Sequence, residues 1–193
     1  MKSKFYVGLA IFVLVLSSLA CGSSDDGVEV NPGSGEGEAA EPAETSAPEV
    51  GTARSNPAPA GSQVVTDDMA FEITGYTRPA DDIVMAGNPY NTAPEGDQEY
   101  IFVDVQISCQ KTVDEKCTIY PTSSFSLIGS SGVVYDPEIV LAGVEGLFEI
   151  LETEFYGGST VSGSLAFIVG QSDTNLVLIY DPLLGDTFYL AVE

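Results

Sequence analysis

The sequence predicts an all-β domain, an antiparallel β-sandwich of about seven or eight strands. Three observations carry that expectation. From Glu99 to Cys109, Ile101, Val103, Val105, Ile107 and Cys109 fall on one face, with Tyr100, Phe102, Asp104, Gln106 and Ser108 on the other, the period of a half-buried strand. Short apolar runs of this kind recur between clusters of turn residues such as Gly129-Ser130-Ser131-Gly132. No window long enough for a major helix keeps a 3.6-residue period.

In chain order the first element is an export signal. Met1 to Lys4 carries two lysines, Phe5 to Leu16 is an unbroken apolar run, and Ser17-Ser18-Leu19-Ala20 supplies small residues before Cys21. Residues 1–20 therefore read as a positive n-region, an h-region and a cleavage site. The apolar stretch is 16 residues from Phe5 to Ala20, short of the roughly 20 that cross a bilayer core. Leu19-Ala20-Cys21 resembles the lipobox of bacterial lipoproteins, although Ser18 and Leu19 stand where that motif has Leu followed by a small residue. On this reading Cys21 is the lipidated residue and holds the protein to a membrane. Cleavage by ordinary signal peptidase would instead leave Cys21 as a free thiol.

Residues 21–62 read as a tether. Gly22 to Ser62 is rich in Gly, Pro, Ser, Ala and Glu, lacks aromatic residues and has a net charge of −7. Such a composition buries too little surface to offset the entropy of ordering, so the expectation is a disordered linker with a span on the order of 35 Å.

Residues 63–193 are expected to form the one folded domain, long enough for a real core. Strands are predicted at Met69 to Thr77, Glu99 to Cys109, Ser124 to Ile128, Val133 to Asp136, Leu147 to Glu152, Thr160 to Val169, Leu176 to Asp181 and Thr187 to Val192. Gly163 interrupts the apolar face of its strand and marks a close backbone approach or a bulge. Pro137 to Gly146 reads as a short helical turn or an irregular crossover.

Composition excludes whole classes of function. The 193 residues hold 29 Asp and Glu, 6 Lys and Arg, no His and no Trp, for a net charge of −23. Phosphate backbones and anionic lipid headgroups are repelled by such a chain, so no nucleic-acid partner is expected. Without His there is no Ser-His-Asp or Cys-His catalysis and no imidazole switch.

The succession Phe71-Glu72-Ile73, Tyr100 to Ile107, Phe125-Ser126-Leu127 and Gly132-Val133-Val134-Tyr135, then Gly157-Gly158 before Val161 to Val169 and Leu176 to Tyr180, has a family likeness. It resembles the telokin-like, immunoglobulin-like domain of secreted bacterial lipoproteins, over roughly Met69 to Glu193. That resemblance implies an immunoglobulin-like sandwich on an exported, often lipid-anchored protein, and it carries over no catalytic residue. The chain departs from the commoner pattern in having Cys109 and Cys117.

With Cys21 taken up by lipid, Cys109 and Cys117 remain as an even pair in an exported chain, and a structural disulfide is expected. Their spacing is not the Cys-x-x-Cys of a redox pair. The acidic stretch with Asp81, Asp82, Glu95, Asp97 and Glu99 offers oxygen ligands for calcium, without the spacing of a calcium loop; the plainer reading is solvated carboxylates. Asp104, Asp136 and Glu138 are the carboxylates open to glycoside hydrolysis, with no readable cleft. Tyr76, Tyr90, Tyr100, Tyr120, Tyr135 and Tyr156 read as core or sheet-surface residues unless several share one exposed face. The expectation is therefore no enzyme, no metal and no cofactor, but a lipid-anchored envelope module that binds a protein or envelope polymer. Its rivals are a passive acidic surface protein and a calcium-dependent adhesin.

Overall fold

The alternation around Val103 becomes the central strand of the molecule. In the computed structural model, which describes residues 49–149 and 151–193, this strand is β3 (Gln98–Cys109). It is flanked by β2 (Met69–Thr77) and β8 (Thr160–Gly170), with β1 (Gln63–Val65) on the outer side of β2. The facing sheet has the order β10 (Phe188–Ala191), β9 (Val177–Tyr180), β5 (Phe125–Ile128), β6 (Val134–Tyr135). A ribbon of β4 (Lys116–Ile119) and β7 (Thr153–Tyr156) closes one end. All these pairings are antiparallel. The fold is the expected antiparallel sandwich, with ten strands among the described residues where seven or eight were expected.

Ile101, Val103, Val105 and Ile107 of β3 and Leu165, Phe167 and Val169 of β8 pack against Phe125, Leu127, Leu178, Tyr180 and Leu190 of the second sheet. Phe71 anchors this layer, its ring centroid 4.4 Å from that of Tyr180 and 6.4 Å from that of Phe125. Burial of side chains of this size is worth about 1.5–3 kcal/mol each, so this layer is the main source of stability.

Four differences from the sequence reading have clear causes. Tyr100 and Phe102, placed by alternation on an open face, are buried in a second cluster with Ala80, Val84, Val140 and Ala166. A short helix, α1 (Asp81–Gly87), and the crossover that follows β6 cover that half of the sheet. Asn91 ties the two covers together, its Nδ2 donating to the Val84 carbonyl and its Oδ1 accepting from the Leu141 amide, both at 2.8 Å.

Second, described residues before Gln63 pack on the sandwich. Ala58 is 4% exposed and bridges Leu190, its amide donating to Tyr189 O and its carbonyl accepting from Ala191 N, both at 2.8 Å. The last part of the expected linker thus covers the edge of β10, which satisfies that edge's backbone groups. The export signal, Cys21 and the earlier linker lie outside the described residues.

Third, the described residues of the segment Leu147 to Glu152 form no strand. Leu147 only bridges Ser164, and the pairing strand is Thr153–Tyr156, because its partner β4 lies there. Fourth, Gly163 does give a close approach, but by a ring: a Cβ there would lie 2.9 Å from Phe148. The bulge sits in β2, between Ile73 and Gly75.

Candidate functional site

The β9–β10 connection carries two leucines inside a turn. Leu183 is 98% and Leu184 88% exposed. The stem below them is held firmly: Thr187 Oγ1 donates to Asp181 Oδ1 at 2.6 Å, and the Asp181 amide donates to the Ser124 carbonyl at 2.8 Å. Gly185, at φ 122°, turns the chain in backbone space that L side chains rarely adopt. A fixed stem under an apolar tip avoids part of the ordering cost of binding.

Two open clefts flank this loop. The first, about 1040 Å³, is lined by Lys111, Lys116, Tyr120, Ser123 and Leu183, among others. The second, about 910 Å³, lies toward Val65, Asp67, Asp186 and Phe188. Asp68, Met69, Tyr180, Pro182 and Leu184 line both. Tyr180 sits against the aromatic core, and burial, followed by the nearby Asp68 charge, raises its phenol pKa.

The cations of the first cleft are already paired. Lys111 Nζ lies 3.0 Å from Asp68 Oδ2, and Lys116 Nζ lies 2.8 Å from Glu154 Oε2 and 5.5 Å from the Tyr156 ring centroid. The Glu154 hydrogen bond, and then its charge, raise the Lys116 pKa. Both pairs are partly exposed, and an anionic ligand would compete with these carboxylates for the lysines.

Cys109 and Cys117 are joined by a disulfide with Cα atoms 5.8 Å apart, and Cys117 lines the first cleft. The bond clips the loop between β3 and β4, two strands of different sheets. Gly157, just after β7, lies close against that loop, since a Cβ there would meet the Thr112 carbonyl oxygen at 2.0 Å.

At the opposite end of the sandwich lies a polar lock. Asp173, 2% exposed, accepts from Ser130 Oγ at 2.9 Å, Ser131 N at 2.7 Å, Ser131 Oγ at 2.6 Å and Tyr135 Oη at 2.8 Å. Burial alone would raise its pKa, but the bonds from Ser131, Tyr135 and Ser130 outweigh burial and hold it at about 2. Arg78 caps the same corner, donating to Glu99 Oε1 at 2.6 Å and to the carbonyls of Asp173, Gly170 and Gln171. The Asp173 carboxylate is taken up by four donors from the protein, three of them on the exposed residues Ser130 and Ser131, which makes this a structural corner.

The structure disperses the acids of the 81–99 stretch. Asp81 and Asp82 open α1, Glu99 is spent on Arg78, and Glu95 and Asp97 lie in the loop before β3. Among the described residues no group of three or more acids or cysteines is placed to hold a metal ion. Asp104 accepts from Ser164 Oγ across the sheet. Of the tyrosines, Tyr120 reaches the cleft and Tyr156 lies beside Lys116, whereas Tyr100 is buried and Tyr135 serves Asp173.

The sequence reading singles out neither Asp173 nor the Pro182-Leu183-Leu184-Gly185-Asp186 segment, both of which fall in turns between strands. For the second a signal was present, since two large apolar residues inside a turn have no core to enter. For Asp173 there was none.

The geometry has counterparts among known proteins. Residues 59–189 match the model of a domain of unknown function, DUF4352. The candidate lipoprotein ycdA of Bacillus subtilis strain 168 has a similar structure, with TM-score 0.51 and 15% identity over 69% of this chain. This chain spans 39% of that protein's length, and at such identity the likeness concerns the fold alone. The yjhA protein of Bacillus subtilis aligns with TM-score 0.48 and 11% identity, over 70% of this chain and 98% of its own. An uncharacterised β-sandwich protein of Clostridium difficile 630 aligns with TM-score 0.41 and 13% identity, over 69% and 91%. No curated protein matches significantly. Among the described residues no helix is long and apolar enough to cross a membrane.

Proposed function

The chain belongs to the DUF4352 family, and on that premise we propose that it is an exported, lipid-anchored protein of the cell envelope whose sandwich is a non-catalytic binding module. The observation that carries the binding reading is the Leu183–Leu184 tip, nearly fully exposed on a braced stem between two clefts. Large apolar side chains held in water cost free energy that a partner's surface recovers, and such tips mark interaction sites. A passive acidic surface protein has no use for this feature.

The anchor reading is supported by Leu19-Ala20-Cys21 behind an apolar run of signal-peptide length. The description of ycdA as a candidate lipoprotein accords with it. The lipid on Cys21 would tie the protein to the membrane, and the partner would be a protein or an envelope polymer. Mass spectrometry of the mature N-terminus tests the anchor: a diacylglyceryl-modified Cys21 is expected, and an unmodified one overturns it.

The binding reading is tested by crosslinking on intact cells, with the unlipidated Cys21→Ser chain as soluble competitor. One partner should be recovered, lost on competition, and retained when the competitor also carries Leu183→Ser and Leu184→Ser. Absence of any competable partner would leave the passive reading in its place.

A further inference from the structure

The cleft on the β1 side of the leucine loop differs from its neighbour in charge. Its walls are apolar: Val65 is 61% and Leu184 88% exposed, with Met69 and Phe188 between them. Its rim carries four carboxylates, Glu49, Asp67, Asp68 and Asp186, and no Lys, Arg or His lines it. Among the described residues only Asp68 of these four has a salt bridge, to Lys111. The domain from Gln63 to Glu193 adds a background charge of −18. Anions and anionic membrane surfaces are therefore repelled from this groove.

Resting on the binding reading above, we propose that this groove docks a basic segment of a partner protein, a short stretch in which Lys or Arg side chains flank a large apolar residue. The apolar residue enters between Val65, Leu184 and Phe188. The flanking cations meet the carboxylates at the rim, where they steer association and set register. A purely polar polycation would satisfy the rim and leave the apolar walls in water, so charge and apolar surface together select an amphipathic basic peptide.

The test uses the full Cys21→Ser chain and three fluorescein-labelled peptides of alternating Lys-Leu, Lys-Ser and Glu-Leu, read by fluorescence anisotropy over a salt series. Lys-Leu is expected to bind, more weakly as salt rises; Lys-Ser should bind about tenfold more weakly and Glu-Leu not at all. Asp67→Asn with Asp186→Asn should weaken Lys-Leu about fivefold. The control pair Glu95→Gln with Asp97→Asn, before the far end of β3, should leave it unchanged. Thermal melts of each variant separate lost binding from lost folding.

No Lys-Leu binding, an equal effect of the control pair, or equal binding of Lys-Ser overturns the proposal; the last two outcomes mean general attraction of polycations. A crosslinked cellular partner that is lost with Leu184→Ser but kept with Asp67→Asn and Asp186→Asn removes this proposal and leaves the binding module standing.

Discussion

Replacing Asp173 by Asn isolates one buried carboxylate among many exposed ones. Four donors reach its two oxygens between 2.6 and 2.9 Å. In Asp173→Asn, the pair at Oδ1 from Ser130 and Ser131 N is kept with a neutral acceptor. At the other atom the Ser131 and Tyr135 hydroxyls must rotate to accept from the new amide. A hydrogen bond to a charged group is worth about 1.5–3 kcal/mol and a neutral one about 0.5–1.5. With partial compensation the loss comes to about 2–3 kcal/mol, or about 5–10 °C in Tm for a domain of this size. The carboxyl has a folded-state pKa of about 2 against an ordinary 3.8. A depressed pKa gives stability that is fully present above the ordinary value and lost as pH falls toward the folded value. Wild type should therefore lose about 2 kcal/mol of its advantage over Asp173→Asn between pH ~4 and ~2. Urea melts of both proteins across that range provide the difference, in which the other acids cancel. A constant difference from pH 6 to pH 2, or a Tm drop under about 2 °C at neutral pH, would refute the lock.

Reducing the Cys109–Cys117 bond, or replacing both residues by Ser, should cost about 2–3 kcal/mol through the short loop it closes, and Tm should fall equally in both cases; an unchanged Tm would mean the loop is held without it. Gly157→Ala forces a Cβ to within 2.0 Å of the Thr112 carbonyl oxygen, so it should destabilise by at least about 2 kcal/mol in denaturant melts, with hydrogen exchange rising first in the β3–β4 loop and the β4–β7 ribbon. Arg78→Met leaves Glu99 unpaired at 12% side-chain exposure and three carbonyls without their donor; a loss of about 3–4 kcal/mol is expected by the same melts, and a loss under 1 would show that water replaces the guanidinium.

Much of the fold is legible locally. Met69 to Thr77 and the long runs around Val103 and Phe167 appear as strands where alternation places them, because a period of two follows from backbone geometry and needs no knowledge of the partner. The Cys109–Cys117 pairing was legible from cysteine arithmetic, since these two remain as an even pair if Cys21 is taken up by lipid. The candidate site was legible in part, as a turn too apolar to be only a turn. The clefts beside it were not, because their walls come from β1–β2, β3–β4 and β9–β10, which lie far apart in the chain.

The sequence by itself determined the all-β class, the longest strands, the acidic character that turns away anions and the lack of His, all of them properties of composition and short-range pattern. Only tertiary structure decided which faces are covered. Tyr100 and Phe102 left the solvent because α1 and Val140 cover them, and residues 49–62 joined the body because the edge of β10 needed partners. Asp173 became the one deeply buried carboxylate of the described chain because Ser130, Ser131 and Tyr135, 38 to 43 positions away, converge on it. Burial depends on what a distant segment brings to a surface, and no local pattern carries that information.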